Sequence, residues 1–417
     1  MDGSERFDVA IVGARAAGAA TALLLARLGH DVVVVDRARL PSDTLSTHAI
    51  SRSGVVQLHR WGLLDEVLAS GAPAIRQVTF HLPGGLVTRQ VKAASGVDVL
   101  VAPRRHALDT IVAGAAARAG ATVRLGTTVT GVVCQASDGR VAGLRTPGPD
   151  GPATVEARVV VGADGLRSGI ARSVRAPLVD ARPSGSTAYY TYVGGVPWDG
   201  IELYPADGSF AGVFPTHGGE ACVWVCVPPS VAVEARRRAG SLDLGFAGLL
   251  AQAAPTLADR IRAGRQTAPV QGMARTPNQA RQAWGPGWAL VGDALYHRDP
   301  ITGHGLSDAY RDAELLAAAV DDGLRGRAPL DVALDHSGQA AAAARRTTFD
   351  LASALGTFPP IDDFVGLYRD LAIAIEAESS TLAARALRDE QPDARHEGSI
   401  EGGFDGVFQK EPDEHRG

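Results

Sequence analysis

The chain has 417 residues, 45% of them hydrophobic and 21% charged, which is typical of a globular protein with a large buried core. Its 41 basic and 46 acidic residues give a formal net charge of -5, and no basic block is interleaved with aromatic residues, so nucleic acid is not expected as a partner. The apolar stretch 7–35 contains charged residues and follows no basic segment, which excludes a signal peptide and a membrane span there.

The first predicted unit is a strand, a helix and a second strand. Residues 7–12 form an apolar run, residues 16–28 favour a helix that ends at Gly29-His30, and residues 31–35 form another apolar run. Both runs are continuously apolar, as in parallel strands that are covered on both faces. The sequence therefore predicts an α/β fold with a Rossmann-type parallel sheet.

The turn inside this unit reads Gly-Ala-Arg-Ala-Ala-Gly, one substitution away from G-x-G-x-x-G. Gly13 permits a tight turn and Gly18 permits close packing of helix on strand, while the free amides at the helix start attract a pyrophosphate. Asp36 can accept hydrogen bonds from a ribose, and Arg15 can offset phosphate charge. The turn predicts a dinucleotide site, FAD or NAD, formed by Gly13, Arg15, Ala16, Ala17, Gly18, Asp36 and Arg37.

Two later motifs bear on the choice of dinucleotide. Residues 159–165 read Val-Val-Val-Gly-Ala-Asp-Gly, and residues 288–294 read Trp-Ala-Leu-Val-Gly-Asp-Ala, each a buried strand that ends in a polar turn. The segment 300–309, Pro-Ile-Thr-Gly-His-Gly-Leu-Ser-Asp-Ala, opens a predicted amphipathic helix that extends to about Asp321. Together the motifs of residues 7–330 resemble the flavoprotein monooxygenase superfamily, which includes para-hydroxybenzoate hydroxylase, geranylgeranyl reductases and flavin-dependent halogenases.

The resemblance implies FAD as the cofactor and a glutathione-reductase-like FAD-binding domain. It implies that Asp293, after Gly292, bonds the ribityl chain, and that Arg105 of an R-x-x-L-D helix start lies along the ribityl and pyrophosphate groups. Asp164 and Gly165 are implied in cofactor binding and in transient docking of NAD(P)H. Amides of the glycine-rich helix start would lie near the flavin pyrimidine, where a helix N-terminus stabilises negative charge; this segment contains Pro300, Gly303, His304 and Gly305.

Residues 41–50 follow the second strand, where the chain passes beside the isoalloxazine ring in the family that this sequence resembles. His48 and Arg52 are therefore the candidate catalytic residues. A single histidine is also commonly a structural residue, and Arg52 has the same alternative.

A second domain is predicted between parts of the first. Residues 76–91 and 187–227 alternate as antiparallel strands do, and the latter carry many aromatic side chains that could line an apolar substrate pocket or simply form the core of the sheet. The predicted FAD-binding domain comprises residues 1–75, 98–180 and 272–330, and the substrate domain residues 76–97 and 181–271. Residues 231–265 and 331–390 read as helices, with 331–390 forming a C-terminal helical segment, and residues 391–417 as a disordered tail.

Cys134, Cys222 and Cys226 are too few for a disulfide framework, and we interpret all three as buried thiols in a reducing compartment. A cytoplasmic protein is therefore predicted. Metal binding is the less favoured use of these thiols, and no metal site is predicted.

The predicted reaction is monooxygenation of an apolar, aromatic or polycyclic small molecule through a flavin C4a-hydroperoxide, with NAD(P)H as reductant. No second glycine-turn unit offers a nicotinamide domain, so NAD(P)H docks transiently or a separate flavin reductase is a partner. A reductase of C=C bonds, similar to geranylgeranyl reductase, is the alternative. A halogenase is disfavoured because residues 210–215 lack both tryptophans of W-x-W-x-I-P, and Lys92 and Lys410 are the only lysines. A flavin-binding protein without turnover is the remaining class.

Overall fold

The computed structural model describes residues 5–148, 151–274 and 276–390. Their strands are, in chain order, β1 Glu5–Val12, β2 Val32–Asp36, β3 Gln77–Leu82, β4 Gly85–Gln90, β5 Thr122–Leu125, β6 Gly131–Cys134, β7 Val141–Gly148, β8 Gly151–Gly162, β9 Leu178–Arg182, β10 Thr187–Gly194, β11 Ile201–Ala206, β12 Ser209–Pro215, β13 Ala221–Val227, β14 Arg265–Gln266, β15 Gln271–Met273, β16 Asn278–Arg281, β17 Trp284–Gly285, β18 Trp288–Leu290 and β19 Tyr296–His297.

The α-helices of the described residues are α1 Ala16–Arg27, α2 Arg52–Arg60, α3 Leu64–Ala69, α4 Arg105–Arg118, α5 Gly169–Ser173, α6 Pro229–Ala239, α7 Leu242–Ala253, α8 Pro255–Arg262, α9 Gly305–Leu324, α10 Leu330–Leu355 and α11 Ile361–Glu390. Single 3₁₀ turns follow β12, β18 and β19. The helices predicted in residues 231–265 are confirmed as α6, α7 and α8. Those predicted in residues 331–390 are confirmed as α10 and α11. The predicted tail, 391–417, lies outside the described residues.

The first sheet has the strand order β17-β18-β8-β1-β2-β5. From β18 to β5 all neighbours are parallel, while β17 is antiparallel to β18 and the β6-β7 hairpin pairs with β8. The predicted strand-helix-strand unit is confirmed as β1, α1 and β2. The central strands of this sheet are buried on both faces, as their continuous apolar sequences predict.

Close contact between α1 and the end of β1 depends on two glycines. A Cβ atom added to Gly18 would lie 1.8 Å from the carbonyl oxygen of Gly13, and one added to Gly13 would lie 2.3 Å from the carbonyl oxygen of Ala163. Gly13 also has φ +106, in the left-handed region. The helix therefore approaches the sheet at a distance that a larger residue at either position would prevent.

The second sheet has the order β14-β10-β13-β12-β11-β3-β4, with β15 added to β10. The predicted strands in 76–91 and 187–227 are confirmed, and most pairs are antiparallel. One pair corrects the expectation of an antiparallel sheet, because β3 runs parallel to β11. Residues of β9, β16 and β19 form a small third sheet.

Helices cover both faces of the second sheet. On one face Tyr189 and Tyr204 pack with residues of α7 and α8. On the other face the remaining aromatic residues join a buried cluster with α10 and α11, in which Phe210 lies 5.2 Å from Phe364 between ring centroids. The C-terminal helices thus cover Phe210, whereas the hydroxyl groups of Tyr190 and Tyr192 are bonded to Ser46 and His48. The aromatic residues of this face are Tyr190, Tyr192, Phe210, Phe214 and Trp224.

The cysteines differ in their environments. Cys222 and Cys226 lie on β13 and are buried, as expected from their alternation with apolar residues. Cys134, at the end of β6, is exposed, so its predicted burial is wrong. β6 is an edge strand of the first sheet, which leaves its last residue open to solvent. Within the described ranges no helix is both long and apolar enough to span a membrane.

The packing of α11 on the second sheet can be tested with two neighbouring positions. Leu371 is 1% exposed and Ile373 is 43% exposed. We expect Leu371→Ala to lower the free energy of unfolding by about 2 to 5 kcal/mol, because it leaves a cavity in the shared core. Ile373→Ala, the matched control, should change it by less than about 0.5 kcal/mol. Equal effects in denaturant unfolding would contradict this packing.

Candidate functional site

A cleft of about 880 Å³ lies where the carboxyl ends of β1, β2, β8 and β18 meet. Parallel α/β sheets bind ligands at this edge, and the volume lies within the range of about 300 to 1,000 Å³ that is typical of cofactor sites. Of the residues predicted from the sequence, the cleft is lined by Gly13, Arg15, Ala16, Ala17, Asp36, Arg37, His48, Arg105, Asp164, Gly165, Gly292, Asp293, Pro300, Gly303, His304 and Gly305.

The N-terminus of α1 opens into one side of this cleft. The helix has no acidic residue in its first turn and no side-chain cap at Arg15. Its first amides therefore have neither an intrahelical acceptor nor a capping oxygen, which leaves them available to an anion. Gly18 does not line the cleft, and its place is the helix-strand contact at Gly13.

A buried carboxylate that the sequence reasoning did not assign holds the two predicted arginines. Asp109, which is 0% exposed, accepts from Arg15 Nη1 at 2.7 Å and from Arg105 Nε at 3.1 Å. Arg15 also donates to the Ser42 carbonyl at 3.1 Å. The two guanidinium groups are thus fixed at the cleft wall. The aspartate of the R-x-x-L-D motif is Asp109 itself, so the motif contains the residue that holds them.

Asp36 ends β2 and stabilises the glycine turn. Its carboxylate accepts from the Ala14 amide and from the Ala38 amide, each at 2.8 Å. A carboxylate has about four acceptor positions, so Asp36 can still bind hydroxyl groups of a ligand. Arg37 is exposed beside it.

The two predicted aspartates after β8 and β18 differ in how they are used. Asp164 already accepts from the Gly169 amide at 2.6 Å and from Ser168 Oγ at 2.5 Å, so it stabilises the turn into α5. Asp293 is exposed in the cleft, and the described residues provide no hydrogen-bond partner for its carboxylate. Asp293 is therefore the acidic side chain of the cleft that is free to bind a ligand.

The N-terminus of α9 faces the other side of the cleft. The 3₁₀ turn Pro300–Thr302 ends at Gly303, whose φ of +66 reverses the chain into the helix, and His304 is the N-cap residue. Asp299 fixes this turn, because its buried carboxylate accepts from the amides of Ser186 at 2.8 Å and Ile301 at 3.1 Å. The helix start is thus held rigidly toward the cleft.

His304 is buried and neutral. Its Nδ1 donates to the Thr302 carbonyl at 2.5 Å, which leaves Nε2 as an acceptor without a partner in the described residues. Burial and the nearby Arg298 lower the pKa of His304 to about 4. Arg298 was not predicted; it lines the cleft and pairs with Asp308 Oδ2 at 2.8 Å in a buried ion-pair cluster that includes Arg311.

His48 lies in the segment predicted to pass beside a flavin ring, with φ +70 and only 1% exposure. Its Nε2 is hydrogen-bonded to the hydroxyl of Tyr192, and its Nδ1 is buried without a partner in the described part of the chain. Burial, with Arg105 and Arg104, lowers the pKa of His48 to about 3. The imidazole is therefore neutral and fixed against the second sheet.

The structure does not bring Arg52 into the cleft. Its Nε donates to Glu376 of α11 at 3.1 Å and its Nη1 to the Lys92 carbonyl at 2.7 Å, so the side chain connects α2 with α11. Its candidate catalytic role is replaced by a structural one, because all of these contacts lie away from the residues that line the cleft.

An extended dinucleotide suits this cleft. Two helix N-termini face it, Asp293 is free within it, and Gly303 and Gly305 leave space where a Cβ would project. Two fixed guanidinium groups lie beside the α1 end. The amides at the start of α1 can bind phosphates, and the carboxylate of Asp293 can accept hydrogen bonds from a polyol. The amides at the start of α9 can bind the polar edge of a ring.

The fold and the site define a dinucleotide-binding oxidoreductase. The family described as "FAD binding domain" matches residues 6–349, so the chain belongs to this family and its cofactor is FAD. It is an FAD-dependent oxidoreductase of the superfamily that joins flavoprotein monooxygenases with enzymes similar to geranylgeranyl reductase. The predicted family and enzyme class are confirmed.

Relatives of known activity include both reductases and hydroxylases. The chain is 27% identical over 331 residues to digeranylgeranylglycerophospholipid reductase 2 of Methanopyrus kandleri, covering 72% of this chain and 73% of that protein. It is 27% identical over 403 residues to kynurenine 3-monooxygenase of Salinispora arenicola, covering 92% and 85%. The crystal structure of P. aeruginosa PqsL in complex with 2-aminobenzoylacetate shares the fold, with a TM-score of 0.70, 24% identity, and coverage of 89% of this chain and 100% of PqsL.

The two buried histidines predict a dependence of stability on pH. Both have folded-state pKa values below the ordinary 6.5, so below about pH 6.5 the unfolded chain binds protons that the folded chain does not. Stability should therefore fall as pH decreases from 7 toward 4, by up to about 1.4 kcal/mol per pH unit for each histidine. His48→Gln with His304→Gln should flatten this slope in denaturant unfolding. The exposed His336→Gln is the control, and an unchanged slope in the double variant would contradict the assignment.

Proposed function

We propose that the protein is an FAD-dependent monooxygenase that hydroxylates an apolar, aromatic or polycyclic small molecule with NAD(P)H as reductant. When bound, the flavin supplies hydride acceptance and oxygen activation. The residues of the cleft bind it, exclude water from it and limit proton transfer near it.

The FAD would lie along the cleft with its pyrophosphate at the N-terminus of α1, near Arg15 and Arg105. Asp293 would accept hydrogen bonds from the ribityl chain, and Asp36 would accept them from the adenosine ribose. The pyrimidine edge of the flavin would lie at the N-terminus of α9, whose dipole and amides stabilise negative charge there. The part of the cleft lined by residues 44–49 and 300–305 is called the ring end below.

The observation that carries the monooxygenase proposal is the lack of a proton donor among the titratable residues at the described ring end. Saturation of an isolated C=C bond needs a proton as well as a hydride. His48 and His304 are neutral, and His304 Nδ1–H is bonded to a backbone carbonyl. The buried carboxylate of Asp299 is occupied by the amides of Gly185, Ser186 and Ile301. Oxygen transfer to an electron-rich ring needs no acid that protonates a substrate carbon, because the ring carbon loses its own proton when aromaticity is restored.

Burial at the ring end also supports oxygen transfer. At the ring end Thr302 is 5% exposed, His304 9% and His48 1%. Such a site limits the access of water and favours transfer of oxygen to a substrate over release of peroxide. The substrate would lie at this ring end, where Tyr190 and Tyr192 of the second sheet contact Ser46 and His48, rather than beside Phe210, which α11 covers.

A double-bond reductase is the second candidate, and the relative from Methanopyrus kandleri is the observation that favours it. Halogenation has less support, because none of the described residues that line the cleft is a lysine and Lys92 is exposed elsewhere. In either case we assign the first sheet to a glutathione-reductase-like FAD-binding domain and the second to a substrate domain, with the boundaries predicted above.

Asp293→Ala tests the position of the cofactor. The variant should bind FAD about ten- to a hundredfold more weakly, because about 1.5 to 3 kcal/mol of charge-assisted hydrogen bonding is lost. Titration of the apoprotein, with flavin fluorescence as the signal, gives the affinity. Asp138→Ala, an exposed aspartate of the β6-β7 hairpin, is the control. An Asp293→Ala variant with wild-type affinity would show that this carboxylate does not bind the ribityl chain.

Labelled dioxygen separates the candidate reactions. The protein is incubated with NADPH, ¹⁸O₂ and a set of aromatic compounds, namely kynurenine and several polycyclic hydroxyquinones. We expect mass spectrometry to detect a product that contains one labelled oxygen atom. Geranylgeranylated glycerophospholipid forms the parallel arm. A product there with two added hydrogens and no label, without oxygenation in the aromatic arm, would replace the monooxygenase by the reductase.

A further inference from the structure

A buried cluster of charged residues lies at the N-terminus of α9, beside the ring end of the cleft. Two of its members, Arg298 and Asp308, line the cleft. We propose that Arg298 raises the reduction potential of the bound FAD by stabilising the negative charge of its reduced form, and that Asp308 limits this effect. The proposal rests on the position proposed above for the pyrimidine edge of the flavin. The cluster consists of Arg298, Asp308, Arg311, Asp312 and Glu378.

Arg298 is a deeply buried cation whose donors are unused. It is 5% exposed, and none of its three guanidinium nitrogens has a hydrogen-bond acceptor among the described residues. Its Nη2 lies 2.8 Å from Asp308 Oδ2, but the two groups are not aligned as in a hydrogen bond, so their contact is ionic. Buried polar groups are normally satisfied, and a guanidinium in a protein does not lose its proton. A full positive charge is therefore held here without the hydrogen bonds that would disperse it.

Asp308 compensates the charge of Arg298 only in part. Its Oδ1 accepts a hydrogen bond from Arg311 Nη1 at 2.9 Å, so two guanidinium groups share this one carboxylate. Burial opposes ionisation of Asp308, but Arg298 and Arg311 outweigh burial and hold the pKa of Asp308 below its ordinary value. The other carboxylates of the cluster, Asp312 and Glu378, contact Arg311 and do not line the cleft. Asp308 is thus an ionised partner whose removal would unmask Arg298.

The charge of Arg298 acts at the start of α9. Burial lowers the pKa of His304, the N-cap residue, and Arg298 lowers it further, which places the guanidinium near this imidazole. Because His304 is neutral, it adds no charge of its own. The free amides of the helix start carry partial positive charge toward the same place. Arg298 and the helix start therefore favour negative charge together.

Reduction places negative charge at the pyrimidine edge of a flavin. A hydride from NAD(P)H brings two electrons and one proton to the flavin N5, NAD(P)⁺ leaves, and the added negative charge rests on N1 and the C2 carbonyl oxygen. A fixed cation nearby stabilises this form more than the oxidised form. A unit charge about 10 Å away, in a medium of effective dielectric constant about 20, changes such an equilibrium about tenfold. Since Arg298 is buried, salt screens its charge only weakly.

The reduction potential of the FAD-loaded protein tests this assignment, measured without substrate by anaerobic equilibration with a reference dye and dithionite as electron donor. Arg298→Met should lower the equilibrium constant for reduction about tenfold, which is about 30 mV for a two-electron couple. Asp308→Asn should raise this constant by a similar factor, and the double variant should lie within about threefold of the wild type. Arg345→Met is the matched control, because it removes a buried guanidinium that does not line the cleft; its change should stay below about threefold.

Sulfite binding gives a second measure of the same charge. The sulfur of sulfite bonds to N5 of an oxidised flavin, and this addition also leaves negative charge on N1. Sulfite, titrated by flavin absorbance, should bind about tenfold more weakly to Arg298→Met and about tenfold more tightly to Asp308→Asn. Arg298→Lys keeps the charge and should stay within about threefold of the wild type in both measurements.

Potential shifts of the same sign in Arg298→Met and Asp308→Asn, which a purely structural ion pair would give, would overturn the proposal, and so would an unchanged potential in Arg298→Met. If Arg298→Met does not fold or does not hold FAD, Asp308→Asn decides, and a potential there that is unchanged or lowered overturns the proposal. The proposed reaction is judged separately, because substrate is absent from these measurements. Opposite shifts without labelled product support the role of Arg298 and contradict the monooxygenase, and labelled product without the shifts does the reverse.

Discussion

The close approach of α1 to β1 determines where everything else in the cofactor cleft can lie. Because Gly18 lies against the Gly13 carbonyl, the helix axis points its free amides at the carboxyl edge of the sheet rather than past it. The parallel register then brings the ends of β2, β8 and β18 to the same edge, with Asp36, Asp164 and Asp293. The close packing of α1 on β1 and the parallel pairing of the strands thus bring together Asp36 and Asp293, which are more than 250 residues apart in the sequence.

Charges near this edge are mostly paired before any ligand binds. Asp109 holds Arg15 and Arg105, and Asp308 lies between Arg298 and Arg311. Pairing of this kind orients the guanidinium groups and limits the cost of burying them. Asp293 is an exception among the acidic residues, and this makes it the most direct probe of cofactor position. The buried histidines, in contrast, remain neutral and shape the ring end without adding charge.

Local motifs made most of the first sheet and the cleft predictable. The glycine turn, the strand-ending Gly-Asp and the glycine-rich start of α9 each depend on residues close in sequence, and 16 of the 18 predicted site residues line the cleft. Gly18 and Arg52 do not line it. Arg52 could not be assigned correctly because its partner, Glu376, is more than 300 residues away. The aromatic face of the second sheet presented the same difficulty, since periodicity reveals that a face is apolar but not whether a helix or a substrate covers it.

The position of α11 makes this helix part of the protein's core. Its apolar side covers Phe210, while Glu376 and Glu378 reach back to Arg52 and Arg311 on α2 and α9. A chain shortened before residue 361 would leave a broad aromatic surface open to solvent and a buried arginine without one of its carboxylates. Such a fragment would associate through that surface instead of remaining monodisperse. Synthesis must therefore continue through α11 before the aromatic face of the second sheet is protected from aggregation.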